Sequence, residues 1–454
     1  MKAYKTAIIL TLIFLIPFGA ARAVNASPDT FRTAFAFLQK EESTVQKNDP
    51  AAPAPGVDRA AAAVALTKAS GRTVSEGTLQ SLSDDTVSTL LQAAEGGTLT
   101  AEAWHSAAGY TLNALLAKTE QTADGKWLID KGSNGKDYYE LGFVGDMNFT
   151  EDGYVMPHAL EKEDGVLGCI DKTFRTEMKN ADILLANNEF TYSDRGTPIS
   201  GKQYTFRAKP DTAHYMNDLG VDLVSLANNH TYDYGEDSFN DTLSTLRKNK
   251  MPYVGAGKNL EEASRPVCFL INGYKVAFLA ASRAEDLQLT PAADADTAGI
   301  FACYTPANLI DAITQARQEN DAVIVYVHWG TEYSFTLSAN QMHLAKAFID
   351  AGASAVIGSH PHILQGMEFY NGKPIVYSLG NFWFNTRSLD TGMVKLRFTG
   401  EKMTMQFVPG KQENSETHSL KKPEDKRALY DMLESVSPGN GIRIDDDGFV
   451  TKRG

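Results

Sequence analysis

Cysteine is scarce in this chain of 454 residues, where only Cys169, Cys268 and Cys303 occur. Because the three are far apart and form no Cys-x-x-Cys pair, a disulfide framework is excluded. One disulfide between two of them is compatible with the sequence in an oxidising compartment. The alternative is that all three are small buried apolar side chains.

Positively charged residues are also in deficit, because 43 lysines and arginines face 56 aspartates and glutamates, which gives a net charge of −13. This charge argues against a general nucleic-acid-binding protein, since a phosphate backbone attracts basic surfaces. It also fits docking on anionic lipid poorly. An apolar content of 43% with 22% charged residues indicates a globular chain, and its length predicts two domains.

Long hydrophobic runs are missing from the chain except at its amino terminus. Residues 1–26 combine basic Lys2 and Lys5, an apolar stretch over 7–16, and small residues suited to cleavage over 21–26. This pattern predicts a secretory signal peptide, and hence an exported protein that is extracellular or associated with the cell surface. The apolar stretch is short for a permanent membrane span, and an uncleaved amino-terminal anchor is the alternative.

The rest of the chain has two parts of different character. Residues 27–137 contain a proline-rich linker over 48–55. After it, residues 58–117 are rich in alanine, leucine, serine and threonine, with apolar residues at roughly helical spacing. This part predicts a small helical unit. From residue 138 onward, short apolar runs alternate with amphipathic patterns, as in an α/β domain. We therefore expect a signal peptide over 1–26, a helical region over 27–137 and an α/β domain over 138–454.

Polar and ionisable side chains follow most of the apolar runs that we predict to be buried strands. The runs 183–185, 322–327 and 355–357 end in this way, whereas 276–279 does not. The residues at these ends are Asp146, Asn187, Glu189, Asn229, His230, His328, His360 and His362. In open α/β sheets, ligands bind beyond the carboxyl ends of the strands, so these side chains are expected to converge.

His360 and His362 are the sharpest part of this pattern, because residues i and i+2 of an extended chain point the same way. Each piece alone has a structural alternative: a polar loop for this pair, a core histidine for His328, and a helix cap for Asn228 and Asn229. Together, carboxylate, amide and imidazole groups predict divalent metal ions such as Mn, Zn or Fe. Two ions sharing a carboxylate would clamp a phosphoryl group and activate water.

Several motifs occur in a fixed order along the chain. They are Gly145-Asp146, Asn187-Asn188-Glu189, Asn228-Asn229-His230 with Asp233-Tyr234-Gly235, His328-Trp329-Gly330, Ser359-His360-Pro361-His362 and Gly380-Asn381-Phe382. In this combination the chain resembles the bacterial CapA family, which is linked to capsule and poly-γ-glutamate synthesis. The resemblance covers about residues 138–398. It implies a four-layer α/β/β/α sandwich similar to the calcineurin-like metallophosphoesterases, here preceded by the small helical unit.

The resemblance also implies roles for individual residues. The implied metal ligands, with Glu189 as the bridging acid, are Asp146, Glu189, Asn229, His328, His360 and His362. Asp146 and His230 are the implied catalytic residues, His230 acting at a phosphoryl oxygen or leaving group. Side chains expected to support the ligands or contact substrate are Asn148, Asn187, Asn228, Glu332, Asn381 and Arg207. Asn148 replaces a histidine of the phosphoesterase pattern.

Two functions follow as hypotheses. The first is an exported metal-dependent hydrolase of surface-polymer synthesis, acting on a phosphoester or an amide-linked acidic polymer, with a membrane-bound synthesis complex as a partner. The second is a non-catalytic accessory protein that holds an anionic polymer. Basic residues in the loop after Glu189 would supply a binding patch, although an ordinary solvated loop is the alternative. These residues are Arg195, Lys202, Arg207 and Lys209.

Overall fold

The computed structural model describes residues 56–119, 128–153, 155–285 and 287–454 of the chain. The predicted signal peptide over 1–26 and the proline-rich linker lie outside these residues. None of the helices in the described ranges combines the length and the apolar character that a membrane span requires. The division into a signal peptide over 1–26, a helical region over 27–137 and an α/β domain over 138–454 stays a prediction, because residues 1–55 and 120–127 lie outside the described ranges.

The helices and strands of the described residues have the following bounds. The α-helices are α1 (Arg59–Ser70), α2 (Glu76–Gln80), α3 (Asp84–Glu95), α4 (Ala101–Ala108), α5 (Leu112–Thr119), α6 (Val155–Leu160), α7 (Lys172–Asn180), α8 (His214–Asp218), α9 (Gly235–Lys248), α10 (Leu260–Ala263), α11 (Ala307–Glu319), α12 (Ala339–Asp350) and α13 (Pro423–Val436). The strands are β1 (Leu128–Gly132), β2 (Tyr139–Met147), β3 (Ile183–Asn188), β4 (Thr191–Tyr192), β5 (Arg207–Ala208), β6 (Leu223–Ser225), β7 (Tyr253–Val254), β8 (Ala256–Gly257), β9 (Val267–Ile271), β10 (Tyr274–Arg283), β11 (Gly299–Ile300), β12 (Ala322–Trp329), β13 (Ala355–Ser359), β14 (Met367–Tyr370), β15 (Lys373–Val376), β16 (Asn381–Trp383), β17 (Leu389–Thr399), β18 (Lys402–Glu413), β19 (Glu416–Ser419), β20 (Ile442–Ile444) and β21 (Phe449–Lys452).

The first five helices, α1 to α5, form the small helical unit that the composition predicts. Four of them begin at a side chain that accepts hydrogen bonds from first-turn N–H groups. These capping residues are Asp58, Ser75, Ser83 and Thr100. The apolar faces of the helices pack into a core of their own around Leu66, Leu90 and Trp104.

Two large sheets dominate the rest of the described chain, which also contains helices and two two-stranded sheets, β8 with β11 and β4 with β5. The first sheet has seven strands in the order β1-β9-β10-β12-β13-β15-β14, and the second has ten, with the path β20-β21-β18-β17-β2-β3-β6-β7. Strands β10, β12, β13 and β15 are parallel in the first sheet, and β2, β3, β6 and β7 are parallel in the second. Their apolar runs are buried on both faces, as the sequence of parallel strands indicates.

Alternation of side chains along these strands creates three apolar layers. Leu185 and Ile324 lie in the core between the two sheets, together with residues of both. Leu184 faces the other way and packs against helices α7 and α9, whereas Val325 packs against α11 and α12. Because successive side chains of a strand point to opposite faces, each sheet is covered on both sides. The expected four-layer α/β/β/α sandwich is thus confirmed.

Strand β1 differs from the sequence prediction, which assigned all of residues 27–137 to a helical region. It pairs in parallel with β9 at the edge of the first sheet. The helical unit contacts the same sheet, because Thr111 Oγ1 and Asn113 Nδ2 donate to the carboxylate of Asp321 at 2.6 and 3.0 Å. Of the cysteines, Cys169 and Cys303 are buried free thiols, so this pair forms no disulfide.

Candidate metal centre

The carboxyl ends of parallel strands from both sheets bring predicted ligands to one place. Asp146 lies near the end of β2 and Glu189 directly after β3 in the second sheet. His328 lies near the end of β12, and His360 and His362 follow β13 in the first sheet. All five side chains are buried. The two sheets therefore meet at a single polar cluster, as expected from the strand ends.

Two groups of side chains in this cluster have the composition of metal sites. In each group, one ligand atom per residue lies within 4.8 Å of the others, and every residue is buried. The first group is Glu189, His328 and His360, and the second is Asp146, Glu189 and His362. Glu189 belongs to both groups. A carboxylate common to two ligand groups is the arrangement expected where two divalent ions lie side by side.

Asn229 lies beside the first group. Its Oδ1 atom is 2.8 Å from Nε2 of His328, which is also 3.1 Å from Nδ1 of His360. The same Nε2 atom lies 3.6 Å from Oε1 of Glu189. Amide oxygen, imidazole nitrogen and carboxylate oxygen thus face one another across a short gap, which suits ions such as Mn, Zn and Fe.

Glu189 provides the test of whether these residues fit a metal ion. Its Oε1 atom is buried and accepts no hydrogen bond from any described residue. Burial first, and then the charge of Asp146, raise the pKa of Glu189 well above its usual value. A buried acceptor without a donor is costly, and a divalent cation would satisfy it and remove the repulsion between the two carboxylates. The residues fit a metal ion.

The histidines of the first group are suited to bind a cation. Burial, reinforced by the neighbouring imidazoles, lowers the pKa of His328 well below its usual value and lowers the pKa of His360 to about 3. Both rings are therefore neutral at physiological pH and can offer a nitrogen lone pair. For His362, burial acts to lower the pKa, but contacts with Asp146 and Asn381 outweigh it and raise that pKa.

The backbone conformation at this site differs from the extended chain from which the sequence argument started. His360 and His362 both have positive φ, +95° and +58°, as does Tyr333 nearby at +55°. The two rings converge because the chain turns sharply after Ser359, and not because it stays extended. Left-handed backbone at non-glycine residues costs about 1–3 kcal/mol each and is concentrated at functional sites.

Asparagine and serine side chains hold the candidate ligands in place. Asn187 Nδ2 donates to Asp146 Oδ1 at 2.8 Å and to Glu189 Oε2 at 3.1 Å. Asn228 Nδ2 donates in turn to Asn187 Oδ1 at 3.0 Å. Ser359, which sequence reasoning did not single out, places its Oγ atom 2.9 Å from Nδ1 of His328. Such secondary contacts fix the orientation of ligand side chains, and the sequence predicted this role for both asparagines.

His230 lies at the edge of the cluster and is oriented by a carboxylate. Its Nδ1 atom is 2.7 Å from Asp233 Oδ2, and its Nε2 atom is 3.9 Å from Glu189 Oε1. Because an ionised carboxylate only accepts hydrogen bonds, Nδ1 carries the hydrogen, and Nε2 faces the cluster. The ring also packs on Phe206, with 4.3 Å between ring centroids. Sequence reasoning named Asp233 only as part of a motif.

Lys202 is a buried part of this arrangement, although the sequence placed it in a basic loop. Its side chain is 1% exposed, and Nζ lies 2.6 Å from Asp233 Oδ1 and 2.9 Å from Glu285 Oε2. The ammonium also donates to the carbonyl oxygen of Asn229 and to Thr290 Oγ1. Lys202 therefore joins the segment between β4 and β5 to the segments that carry Asn229 and His230.

Replacing Lys202 by methionine should destabilise the chain by about 3 kcal/mol, because removing one partner leaves a buried carboxylate without a counterion. Urea unfolding measures the change. Lys209→Met is the matched control, since Lys209 is 58% exposed in its side chain and contacts Glu151 at 3.4 Å. An exposed pair of this kind contributes at most about 1 kcal/mol. Equal unfolding midpoints for the two variants would contradict the role of Lys202.

The remaining predicted site residues lie at different distances from the cluster. Asn381 Oδ1 is 2.8 Å from Nδ1 of His362, whereas Asn148 Oδ1 accepts from the backbone N–H of Thr150 and bonds to none of the described candidate ligands. Glu332 is exposed, and its charge acts on Glu189 and His362. Arg207 contacts none of the described candidate ligands. Its guanidinium stacks on Tyr234 instead, 4.2 Å from the ring centroid.

Fold and site together define a class of protein: an α/β sandwich with a candidate metal centre at the carboxyl ends of its strands. Residues 140–386 match the family model described as bacterial capsule synthesis protein PGA_cap. The chain belongs to this family. The resemblance to the CapA family is therefore confirmed.

Individual relatives support the same assignment. The chain is 32% identical over 266 residues to the PGA biosynthesis protein CapA of Bacillus subtilis, which covers 57% of this chain and 67% of that protein. It is 32% identical over 276 residues to the capsule biosynthesis protein CapA of Bacillus anthracis, covering 56% and 64%. The chain thus spans about two thirds of each relative's length.

A solved structure of sulfate thiohydrolase SoxB from Thermus thermophilus is similar at a TM-score of 0.35, with 13% identity over 65% of this chain and 60% of that one.

Proposed function

We propose that this protein is a metal-dependent hydrolase that acts on a phosphoester or an amide-linked acidic polymer during capsule-type polymer synthesis. The observation that carries the proposal is the buried Oε1 atom of Glu189, which has no donor among the described residues and belongs to a residue common to both groups of ligand-type side chains. A hydrolase needs an electrophilic centre next to a residue that moves protons. The cluster offers a place for the first, and His230 is the candidate for the second.

Different residues of this chain would bind the metal ions and transfer protons. Asp146, Glu189, Asn229 and the three clustered histidines would hold divalent ions, which when bound supply Lewis acidity toward a phosphoryl or carbonyl oxygen and toward water. His230 presents Nε2 to the cluster, and Asp233 at 2.7 Å keeps the proton on Nδ1. Nε2 can therefore take a proton from water or, once protonated, give one to the leaving group. Asp233 also stabilises the positive charge of the protonated ring.

The wider setting is part of the proposal. The relatives' names refer to capsule and PGA biosynthesis, and the amino-terminal pattern over 1–26 predicts export to the cell surface or outside the cell. We infer that an anionic surface polymer, or a phosphoester precursor of one, is the substrate. The protein would then act beside a membrane-bound synthesis complex. Two ions of Mn, Zn or Fe type are expected, because Glu189 belongs to both ligand groups.

A non-catalytic accessory protein that holds an acidic polymer is the second candidate function. The observation that favours it is Asn148, which replaces a histidine and is hydrogen bonded to Thr150 rather than to a ligand. The basic loop gives it little support. Lys202 is buried, and Arg195 pairs with Asp237 at 3.0 Å and with Asp241 at 2.7 Å.

Metal analysis and turnover of a chromogenic phosphodiester test the first proposal. We expect the full chain to bind divalent metal and to hydrolyse bis(p-nitrophenyl) phosphate. His360→Ala should lose metal, and Asp146→Ala should reduce turnover by at least about 100-fold, because even residues that support metal ligands contribute 10- to 100-fold. His343→Ala, at an exposed position of α12, is the histidine control. Protein without bound metal overturns the proposal, and metal binding without turnover favours the accessory function.

A further inference from the structure

An exposed arginine, Arg387, stacks on a tyrosine that contacts one of the candidate metal ligands. The guanidinium carbon of Arg387 is 4.7 Å from the ring centroid of Tyr333, and the Tyr333 ring is 5.7 Å from the ring of His362. Arg387 is exposed, and among the described residues its guanidinium takes part in no ion pair and contacts the Tyr333 ring. Its charge is therefore available to a ligand that approaches His362.

Tyr333 is held firmly in position beneath this arginine. Its backbone N–H donates to the carbonyl oxygen of Pro361 at 2.8 Å, between the two histidines His360 and His362. Its φ of +55° is unusual for an aromatic residue and persists only where the surroundings fix it. The tyrosine on which the guanidinium stacks is thus hydrogen bonded to the backbone segment that carries two candidate ligands.

The turn that carries Arg387 is anchored as well. Gln412 is fully buried, and its Nε2 atom donates to the carbonyl oxygen of Arg387 at 3.1 Å and to Asn385 Oδ1 at 2.8 Å. The backbone N–H of Arg387 donates to the same Oδ1 atom at 3.0 Å. In addition, the neighbouring Phe384 packs on His362 with 4.9 Å between ring centroids. The backbone that carries Arg387 is therefore already ordered before the guanidinium binds a ligand, which lowers the entropic cost of binding.

Arg397 is a comparable arginine of this chain, and it differs from Arg387 in having an acidic partner. Arg397 also stacks on a tyrosine, Tyr138, at 4.1 Å, but its Nη2 atom pairs with Glu140 Oε2 at 3.0 Å. Glu140 lies near the opposite end of β2 from Asp146. An arginine stacked on an aromatic ring and lacking an acidic partner has a fork of N–H donors that matches the oxygens of a carboxylate or phosphate.

We propose that Arg387 and Tyr333 form an anion-binding subsite that holds a carboxylate or phosphate group of the substrate next to the scissile bond. The inference rests on the proposed function and adds to it a residue that selects acidic substrates. In a chain with a net charge of −13, a polyanion needs such local positive charge to approach the cluster. Arg387 lies just beyond residues 140–386, which match the family model.

Equilibrium binding tests the subsite independently of turnover. The full chain, loaded with Mn²⁺, is titrated against a fluorescent glutamate oligomer and against a glutamine oligomer of equal length. We expect Arg387→Gln to weaken binding of the glutamate oligomer about 10- to 100-fold, as loss of a charge-assisted hydrogen bond does. Arg397→Gln should bind like the parent, and Arg387→Lys should fall between. All variants should bind the glutamine oligomer equally weakly.

Competition by inorganic tripolyphosphate distinguishes a phosphate ligand from a carboxylate ligand. If it displaces the glutamate oligomer from the parent and fails to do so from Arg387→Gln, the subsite takes phosphate as well. Unchanged binding of both anions by Arg387→Gln overturns the proposal, as does equal affinity of the parent for the two oligomers. Failure of phosphodiester turnover would overturn the proposed hydrolase function and leave this binding result intact. As a control, the metal content of Arg387→Gln should equal that of the parent.

Discussion

Replacing Glu189 by glutamine should abolish metal binding at both candidate ligand groups and reduce phosphodiester turnover by at least about 1000-fold, since Glu189 is the one described residue that belongs to both groups. The substitution keeps the size of the side chain and removes its charge. It replaces the carboxylate, whose buried Oε1 atom accepts no hydrogen bond from the described residues, with a neutral amide. Elemental analysis of the purified protein measures the metal content.

Single-group variants are the matched controls for this experiment. His360 belongs to the first group only and His362 to the second only. His360→Ala and His362→Ala should therefore each lose about half of the metal, whereas Glu189→Gln should lose nearly all of it. A Glu189→Gln protein that keeps the metal content of the parent would remove Glu189 as a shared ligand and leave two separate sites at most.

Loss of metal in Glu189→Gln should not result from unfolding. Without an ion, Glu189 is buried and lies beside Asp146, and both factors raise the pKa of its carboxyl group. A neutral amide at this position relieves the repulsion between two buried acids. We therefore expect the metal-free variant to unfold at the same temperature as the metal-free parent or above it. Addition of Mn²⁺ should raise the unfolding temperature of the parent only.

The order of strands and helices could be predicted from the sequence because parallel strands buried on both faces leave a strong signal. The run 322–327 lies in β12, and one of the amphipathic patterns that alternate with such runs, over 306–318, predicts a helix and lies almost entirely in α11 (Ala307–Glu319). Edge strand β1 was missed, because its half-exposed sequence has no continuous apolar run. Its place in the sheet depends on pairing with β9, more than a hundred residues away.

Convergence of the candidate ligands could also be predicted, since ligands bind at the carboxyl ends of parallel strands. The geometry of the histidine pair could not, because the positive φ angles of His360 and His362 depend on tertiary contacts. Lys202 shows the same limit of sequence reasoning. A lysine in a polar loop usually lies at the surface, and its burial depends on two acids, Asp233 and Glu285, from other segments.

The backbone next to the candidate ligand Asp146 packs closely against a second segment of the chain, at Gly380. Gly145, next to Asp146, has no room for a Cβ atom, because the carbonyl oxygen of Gly380 occupies that position. The backbone N–H of Asp146 donates to the same oxygen at 2.9 Å. Glycine before a ligand thus allows a neighbouring chain to bond directly to the ligand's backbone. Gly358, two residues before His360, also has no room for a Cβ atom, because the carbonyl oxygen of Tyr377 lies there.

Replacing Gly358 by alanine should destabilise the chain by at least about 5 kcal/mol, beyond the usual range for a single substitution. The new Cβ would overlap the carbonyl oxygen of Tyr377 and lie 2.7 Å from Nε1 of Trp329. Neither neighbour can yield, because this indole N–H donates to that oxygen at 3.0 Å. The carbonyl oxygen of Gly358 also accepts from the N–H of Leu379 at 2.9 Å.

Gly77→Ala is the matched control for this prediction. Gly77 lies within α2, where a Cβ would meet only Ser75 Oγ at 3.7 Å, so this variant should be slightly more stable than the parent, by about 0.5–1 kcal/mol. Urea unfolding followed by tryptophan fluorescence reports on both, because Trp329 packs beside Gly358. A Gly358→Ala protein that unfolds at the urea concentration of the parent would show that β13 and the chain at Tyr377 can separate freely. The position of His360 would then not depend on their close contact.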